Sequence, residues 1–399
     1  MRRSLRPRLN SVADQQHSRI YRRGILGAHL QPSLICDEGP PGPIQTAIAL
    51  HQRFAGYRST RLIGAPSLAQ RLGVGSVWVK DESERLGLPS YKILGASWAV
   101  YRALVQHLGP PPPWGEFSEL RSWVANHRAI TLVGATDGNH GRAVAHMARL
   151  LGVSARIVVP AQIVAPSVAA IKAEGAEVAV VDGSYDDAVS TSAEDLGEQD
   201  LLVSDTSWPG YEQVPCWVAA GYQTMFDEVD QQLEALHVGL PDAVVVQVGV
   251  GTLASAAATH YQTNKSDARV ITVEPVRAAC LLESLVAGHE VAVPGPHESV
   301  MAGLNCGKPS LIAWRVLRDA VDVAVSVTDD LAREAVLLMA AAGIRSGYSG
   351  AAGLAGALRL ASQGGLAAAP LHLGEGSVVL LLNTEGIVDQ TVGLTRGSR

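Results

Sequence analysis

The sequence predicts an α/β protein built on open, twisted, mostly parallel sheets. From about residue 75 onward, short runs rich in β-branched residues alternate with helical segments. The strand candidates are continuous apolar runs, as expected of strands covered by helices on both faces, rather than the alternating runs of a sheet with one wet face. The chain has 399 residues, 47% of them hydrophobic, enough for one large or two medium cores. With 40 Gly for turns and only three Phe, packing falls to Val, Ala and Leu.

The elements follow in order. The opening 23 residues hold seven Arg and one acid but no convincing apolar face. Residues 1–32 are therefore expected to form a flexible Arg-rich arm rather than a targeting segment. "SVWVK" (76–80) reads as a strand leading to a helix that opens at Ser90, a good N-cap preceded by Pro89. "AITLVGAT" (129–136) precedes a helix from Gly141, and "ARIVVP" (155–160), "AEVAVVD" (176–182) and "DLLVSD" (200–205) each lead into helical text. "DAVVVQV" (242–248), "ARVITVE" (268–274), "DVAVSV" (322–327) and "SVVLLLN" (377–383) complete the strands. "HLGPPPPWGEF" (107–117) reads as a stiff proline spacer on the surface. So many strands suggest two sheets with a site between them, beyond the strands' carboxyl ends.

Composition excludes several classes. A net charge of −6 gives no reason to expect nucleic acid or an anionic membrane as partner. No run of about 18 apolar residues is present to span a bilayer. Cys36, Cys216, Cys280 and Cys306 show neither CxxC pairing nor a His partner at metal-ligand spacing. No metal site is expected, and the thiols are expected to be reduced, in a cytoplasmic setting.

Four loops at strand ends carry the chemistry. In "GLPSYKILGASWAVY" (87–101), Lys92 falls in the first helical turn, where the dipole disfavours an ammonium. Dipole and partial burial are expected to favour the neutral amine, which condenses with a carbonyl to a Schiff base; the plain alternative is a snorkelling lysine. In "ATDGNHGRA" (135–143), glycines bracket Asn139 and His140. There, helix-start amides suit a carboxylate, Asn139 can donate to a phenolic oxygen, and Asp137 can act as acid or base. An ordinary Asx-turn is the alternative. "QVGVGTLASAA" (247–257) is strand, glycine loop and helix start, a phosphate cradle to which Thr252 adds a hydroxyl. Gly249, Gly251 and Ala254 also match a dinucleotide fingerprint, with Glu274 where a ribose-binding acid belongs. "LLLNTEG" (380–386) presents Thr384, whose neutral hydroxyl suits a weakly basic ring nitrogen. An amine for an aldehyde, amides for a phosphate, and donors for a ring oxygen and a ring nitrogen together specify pyridoxal 5'-phosphate; a nicotinamide dinucleotide leaves Lys92 unexplained.

The order of these motifs resembles the fold type II pyridoxal-phosphate enzymes (tryptophan synthase β-like), and most closely the diaminopropionate ammonia-lyases. The residues that carry it are "KDESERLGLPSYKILGA" (80–96), "ATDGNHGRAVA" (135–145), "SDTSWPGYEQVPCWVAAGY" (204–222), "VEPVRAACLLESLVAGHEV" (273–291), "ESVMAGLNCGKPS" (298–310) and "NTEG" (383–386). The resemblance implies two open, twisted α/β domains with the site between them: a large cofactor-binding domain (33–92 and 218–399) and a small one (93–217). It implies Lys92 as the Schiff-base lysine, Asn139 beside the cofactor's oxygen, Gly249, Val250, Gly251, Thr252 and Leu253 around the phosphate, and Thr384 near the ring nitrogen. Asp137 and Asp205 match the acid/base carboxylates, and Thr136, His140, Tyr211 and Tyr348 are placed in the substrate pocket. Tyr348 stands where the family pattern has a glutamate. Cys280 and Cys306 fall where family members can carry a cysteine pair. The implied assembly is a homodimer and the implied reaction an α,β-elimination that yields pyruvate and ammonia from 2,3-diaminopropionate or a similar β-substituted amino acid. The alternatives are a serine/threonine dehydratase-type lyase, a pyridoxal-phosphate-binding protein without turnover, and an NAD-dependent dehydrogenase.

Overall fold

Every strand expected from the apolar runs forms, and two short ones join them. The structure is a computed structural model that describes residues 18–23, 42–127, 129–136, 138–194, 196–262 and 266–387. The strands are β1 (Ile20–Arg22), β2 (Leu62–Gly64), β3 (Ser76–Asp81), β4 (Thr131–Ala135), β5 (Ser154–Pro160), β6 (Glu177–Val181), β7 (Asp200–Leu202), β8 (Ala243–Gln247), β9 (Arg269–Pro275), β10 (Val321–Val327) and β11 (Val378–Asn383). A seven-stranded sheet runs β1-β10-β9-β8-β11-β3-β2 and a four-stranded sheet β6-β5-β4-β7. The small sheet is wholly parallel; the large one is parallel except for its edge strands β1 and β2. β8 and β10 are buried at every position, which is why their sequences show no alternation.

The N-terminal arm is corrected in part. Ile20–Arg22 pairs antiparallel with Val323–Val325 and covers the edge of β10. Arg19 and Arg23 reach Glu283 and the Asp319 carbonyl. Residues 1–17 and 24–32 lie outside the described residues.

Two helices bring the sheets together. Lys92–Leu108 packs on Gln213–Ala235, and small residues let the backbones approach. A Cβ on Gly221 would stand 2.4 Å from the Leu94 carbonyl oxygen. Beneath this contact the fully buried His51 bonds Thr224 at 2.8 Å, Ser97 at 2.9 Å and the Leu94 carbonyl at 3.1 Å. One apolar cluster joins Leu132 and Ile157 of the small sheet to Val244 and Leu380 of the large one.

Helix starts differ from the expectation by a residue or two. The helix expected to open at Ser90 begins at Lys92, with Tyr91 at its cap and no side-chain cap bond. Ser90 instead bridges the backbone of Glu385. The Asn139–Leu151 helix likewise starts two residues before Gly141. The segment leading to Lys92 is clamped from behind by a buried ionic cluster. Arg85 bonds Glu82 at 2.5 Å and Glu228 at 2.7 Å, and Lys80 bonds Glu228 at 2.7 Å. Its front is tied to the end of β11, Glu82 N to Asn383 O at 2.8 Å and Gly386 N to Pro89 O at 2.9 Å. Lys92 and Thr384 are thereby brought to one place.

Candidate active site

The four loops line one cavity of about 760 Å³. Lys92, Asn139, His140, Asp205, Gly249 to Leu253, Tyr348 and Thr384 all face it. Thr136 and Tyr211 do not line it. Thr136 is buried and accepts a bond from Gly138 N at 2.8 Å, bracing the turn before Asn139. Tyr211 bridges Ser204 N and the Leu202 carbonyl with its hydroxyl and stacks on Trp208, so it holds the Asp205 segment from outside. Asp137 lies outside the described residues.

The amine does not have the charge expected from the sequence. Lys92 Nζ donates to Asp205 Oδ2 at 2.5 Å, with the lysine side chain 19% exposed. Burial alone pushes the ammonium down, but the Asp205 carboxylate overrides it and holds Lys92 well above the usual lysine range. The helix dipole is outweighed because a full charge in contact exceeds a partial one. On Asp205, burial pushes the carboxyl up, and the Lys92 ammonium more than reverses this, keeping it ionised well below the usual range. Its second oxygen accepts from Tyr185 at 3.0 Å. His140 Nε2 donates to the Val203 carbonyl at 2.8 Å, turning Nδ1 toward Asp205 at 3.8 Å; burial lowers the ring's pKa and keeps it neutral.

The glycine loop forms a cradle of amides. Gly249 gives close approach, since a Cβ there would meet Cys306 Sγ and the Gly303 carbonyl at 3.1 Å. Gly251 caps the Thr252–Tyr261 helix with φ of +95°, a left-handed conformation that favours glycine. The first-turn amides of that helix have no intrahelical acceptor and suit a phosphate. Thr252 Oγ1 donates to the Asp205 carbonyl at 2.6 Å, coupling cradle to acid. Glu274 is not a ribose ligand. It is wholly buried and accepts from Leu281 N at 2.7 Å and Leu282 N at 2.8 Å, and burial raises its carboxyl to about 8. It caps a helix, so the dinucleotide reading loses its acid.

Comparison with known proteins decides the family. A family model described as "Pyridoxal-phosphate dependent enzyme" matches residues 54–384. The chain belongs to the pyridoxal-phosphate-dependent enzymes. It is 36% identical over 352 residues to the diaminopropionate ammonia-lyase of Escherichia coli K12, covering 85% of this chain and 87% of that protein. The crystal structure of the E. coli enzyme in complex with D-serine superposes with a TM-score of 0.82 at 31% identity, over 94% of this chain and 95% of that one. The structure of that enzyme with an aminoacrylate-PLP azomethine reaction intermediate gives 0.78 at 31% identity, over 94% of each chain.

The residues present fit the cofactor of this family: an amine at Lys92, amide donors around Gly251, and side-chain donors at Asn139 and Thr384. Among the described residues no group of three His, Cys, Asp or Glu is placed to hold a metal ion. Cys280 and Cys306 are both buried reduced thiols, not a bridged pair, whereas Cys216 is disulfide-bonded, against the expectation of reduced thiols. Three cavity residues escaped the sequence reading. Glu385 is half-buried and accepts from Asn139 Nδ2 at 2.7 Å and Ser349 N at 3.2 Å; it stands beside Thr384 in the quoted motif. Gln247, a lone amide ending an apolar strand, was a legible signal that went unused. Tyr185 carries no local signal at all; only the small sheet brings it to Asp205.

Proposed function

We propose that this pyridoxal-phosphate-dependent enzyme eliminates ammonia from 2,3-diaminopropionate or a similar β-substituted amino acid, yielding pyruvate and ammonia. The observation that carries the reading is the contact between Lys92 and Asp205 at 2.5 Å in a cavity floored by the Gly249–Leu253 amides. Pyridoxal phosphate, bound at Lys92, supplies the electron withdrawal that acidifies the Cα proton of an amino acid. Lys92 anchors the cofactor and, once displaced by the substrate amine, takes the Cα proton. Asp137 or Asp205 serves the other face of the substrate or protonates the departing amine, which must leave protonated. Asn139 would hold the cofactor's ring oxygen and Thr384 its ring nitrogen. Tyr348 begins the Tyr348–Ala361 helix on the substrate side, with His140 behind Asp205.

The same reading divides the chain into the large domain (33–92 and 218–399) and the small one (93–217), with the site between them, and makes the enzyme a cytoplasmic homodimer. No helix among the described residues is long and apolar enough to cross a membrane.

The test is product formation from D- and L-2,3-diaminopropionate, serine and threonine with added cofactor. Pyruvate and ammonia from diaminopropionate support the proposal. Faster 2-oxobutyrate from threonine supports the dehydratase-type alternative, and no keto acid from any of them supports binding without turnover. Borohydride reduction with peptide mapping locates the cofactor on Lys92 or elsewhere.

A further inference from the structure

Glu385 follows Thr384 just after β11 and lines the cavity. Each of its carboxylate oxygens meets an N–H donor, Oε1 the Ser349 amide at 3.2 Å and Oε2 the Asn139 side-chain nitrogen at 2.7 Å. That is the arrangement of an ionised carboxylate, which accepts and does not donate. Burial raises the Glu385 carboxyl, and the donors from Ser349 and Asn139 work against that rise. Gly347 leaves room for the group, since a Cβ there would stand 2.6 Å from Oε1. The backbone around it is tied as well. Gly347 N donates to the Glu385 carbonyl at 3.0 Å, and Ser90 bridges Glu385 from the side of Lys92. Asn139 comes from across the site: it follows β4 of the small sheet and lies 246 residues away along the chain.

From this bridge we infer that Glu385 is a positioning residue, which holds the Asn139 carboxamide across the cleft with its nitrogen, not its oxygen, turned to the cofactor's ring oxygen. The inference rests on the placement of Asn139 beside that oxygen proposed above. The two ends of a carboxamide have nearly the same shape, so packing alone does not choose between them, whereas a fixed acceptor does. Nδ2 carries two hydrogens; Glu385 takes one and the other is left for the ring oxygen. Turned the other way, Oδ1 would face the carboxylate and the ring oxygen together, acceptor against acceptor. One carboxylate thus ties a donor of the small sheet to the segment that bears Thr384 and pins the approach to Lys92.

The experiment loads the full-length protein with pyridoxal phosphate and reads its absorption, in which an ionised ring oxygen gives a band at longer wavelength than a neutral one. A donor at that oxygen favours the ionised form. Asn139→Ala should therefore lower the ratio of the long to the short band by about tenfold, the effect of losing one hydrogen bond to a charged oxygen. Glu385→Ala should lower it too, and the double variant should match Asn139→Ala, because Glu385 acts through Asn139. Direct action of the charge has the opposite sign, since a carboxylate near the ring oxygen disfavours its ionised form. A raised ratio in Glu385→Ala therefore overturns the proposal. A wild-type ratio in Glu385→Ala beside a lowered one in Asn139→Ala overturns the role of Glu385 and leaves the placement of Asn139 intact. Wild-type ratios in both variants overturn the placement of Asn139 and the inference with it. If Glu385→Ala does not accumulate as folded, cofactor-bound protein, Glu385→Met fills the same space without a carboxylate and carries the same expectations and refutations.

Discussion

Replacing Asp205 by Asn tests the electrostatics of the site directly. The charges of Lys92 and Asp205 are 2.5 Å apart, which at an effective dielectric of about 20 corresponds to roughly 7 kcal/mol of attraction. Asparagine keeps the shape and loses the charge, leaving burial, which lowers the lysine, unopposed. With the attraction gone and the burial unchanged, the Lys92 pKa should fall. The unprotonated fraction near neutrality then rises. The assay is the pH profile of borohydride-trapped cofactor on protein stripped of pyridoxal phosphate and resupplied with it. In Asp205→Asn the condensation limb should move to lower pH. Turnover should meanwhile fall by about 10²–10⁴, since the acid/base carboxylate is gone. Identical profiles for Asp205→Asn and the wild type would refute the reasoning, because Asp205 would then not control the charge of Lys92.

Lys92→Ala should lose both the borohydride-fixed cofactor and pyruvate formation while the far-ultraviolet circular dichroism stays that of the wild type. Gly221→Ala forces a Cβ to 2.4 Å from a backbone oxygen, and overpacking of this kind costs about 1–3 kcal/mol; urea unfolding reads the loss. His51 has its pKa lowered from 6.5 to about 3 by burial and, to a lesser degree, by Arg85. Its unfolded form binds the proton more readily, so its contribution is complete above pH 6.5 and is lost as pH falls toward 3. Wild-type stability should therefore decline by roughly 1.4 kcal/mol per pH unit across that window, and His51→Gln should flatten the slope.

The sequence by itself determined the strands, the four loops and the cofactor. A continuous apolar run can only be a strand covered on both faces or a buried helix, and short runs ended by glycine loops leave the first. Lys92, Asn139, the Gly249–Leu253 loop and Thr384 announce themselves because each uses a local device, a helix start or a strand end, whose chemistry is written in neighbouring residues. The short edge strand β1 was hidden because its three residues gain stability only from pairing with β10, about 300 residues away along the chain. Contacts between remote segments belonged to the tertiary structure in the same way. Asp205 stands 113 residues from Lys92, and only the packing of the small sheet brings them together and charges an amine that the helix start alone would leave neutral. Glu274 became a helix cap and Glu385 the partner of Asn139 for the same reason. A side chain's protonation and hydrogen-bond polarity depend on what burial leaves within about 3 Å of it, and local sequence does not encode that distance.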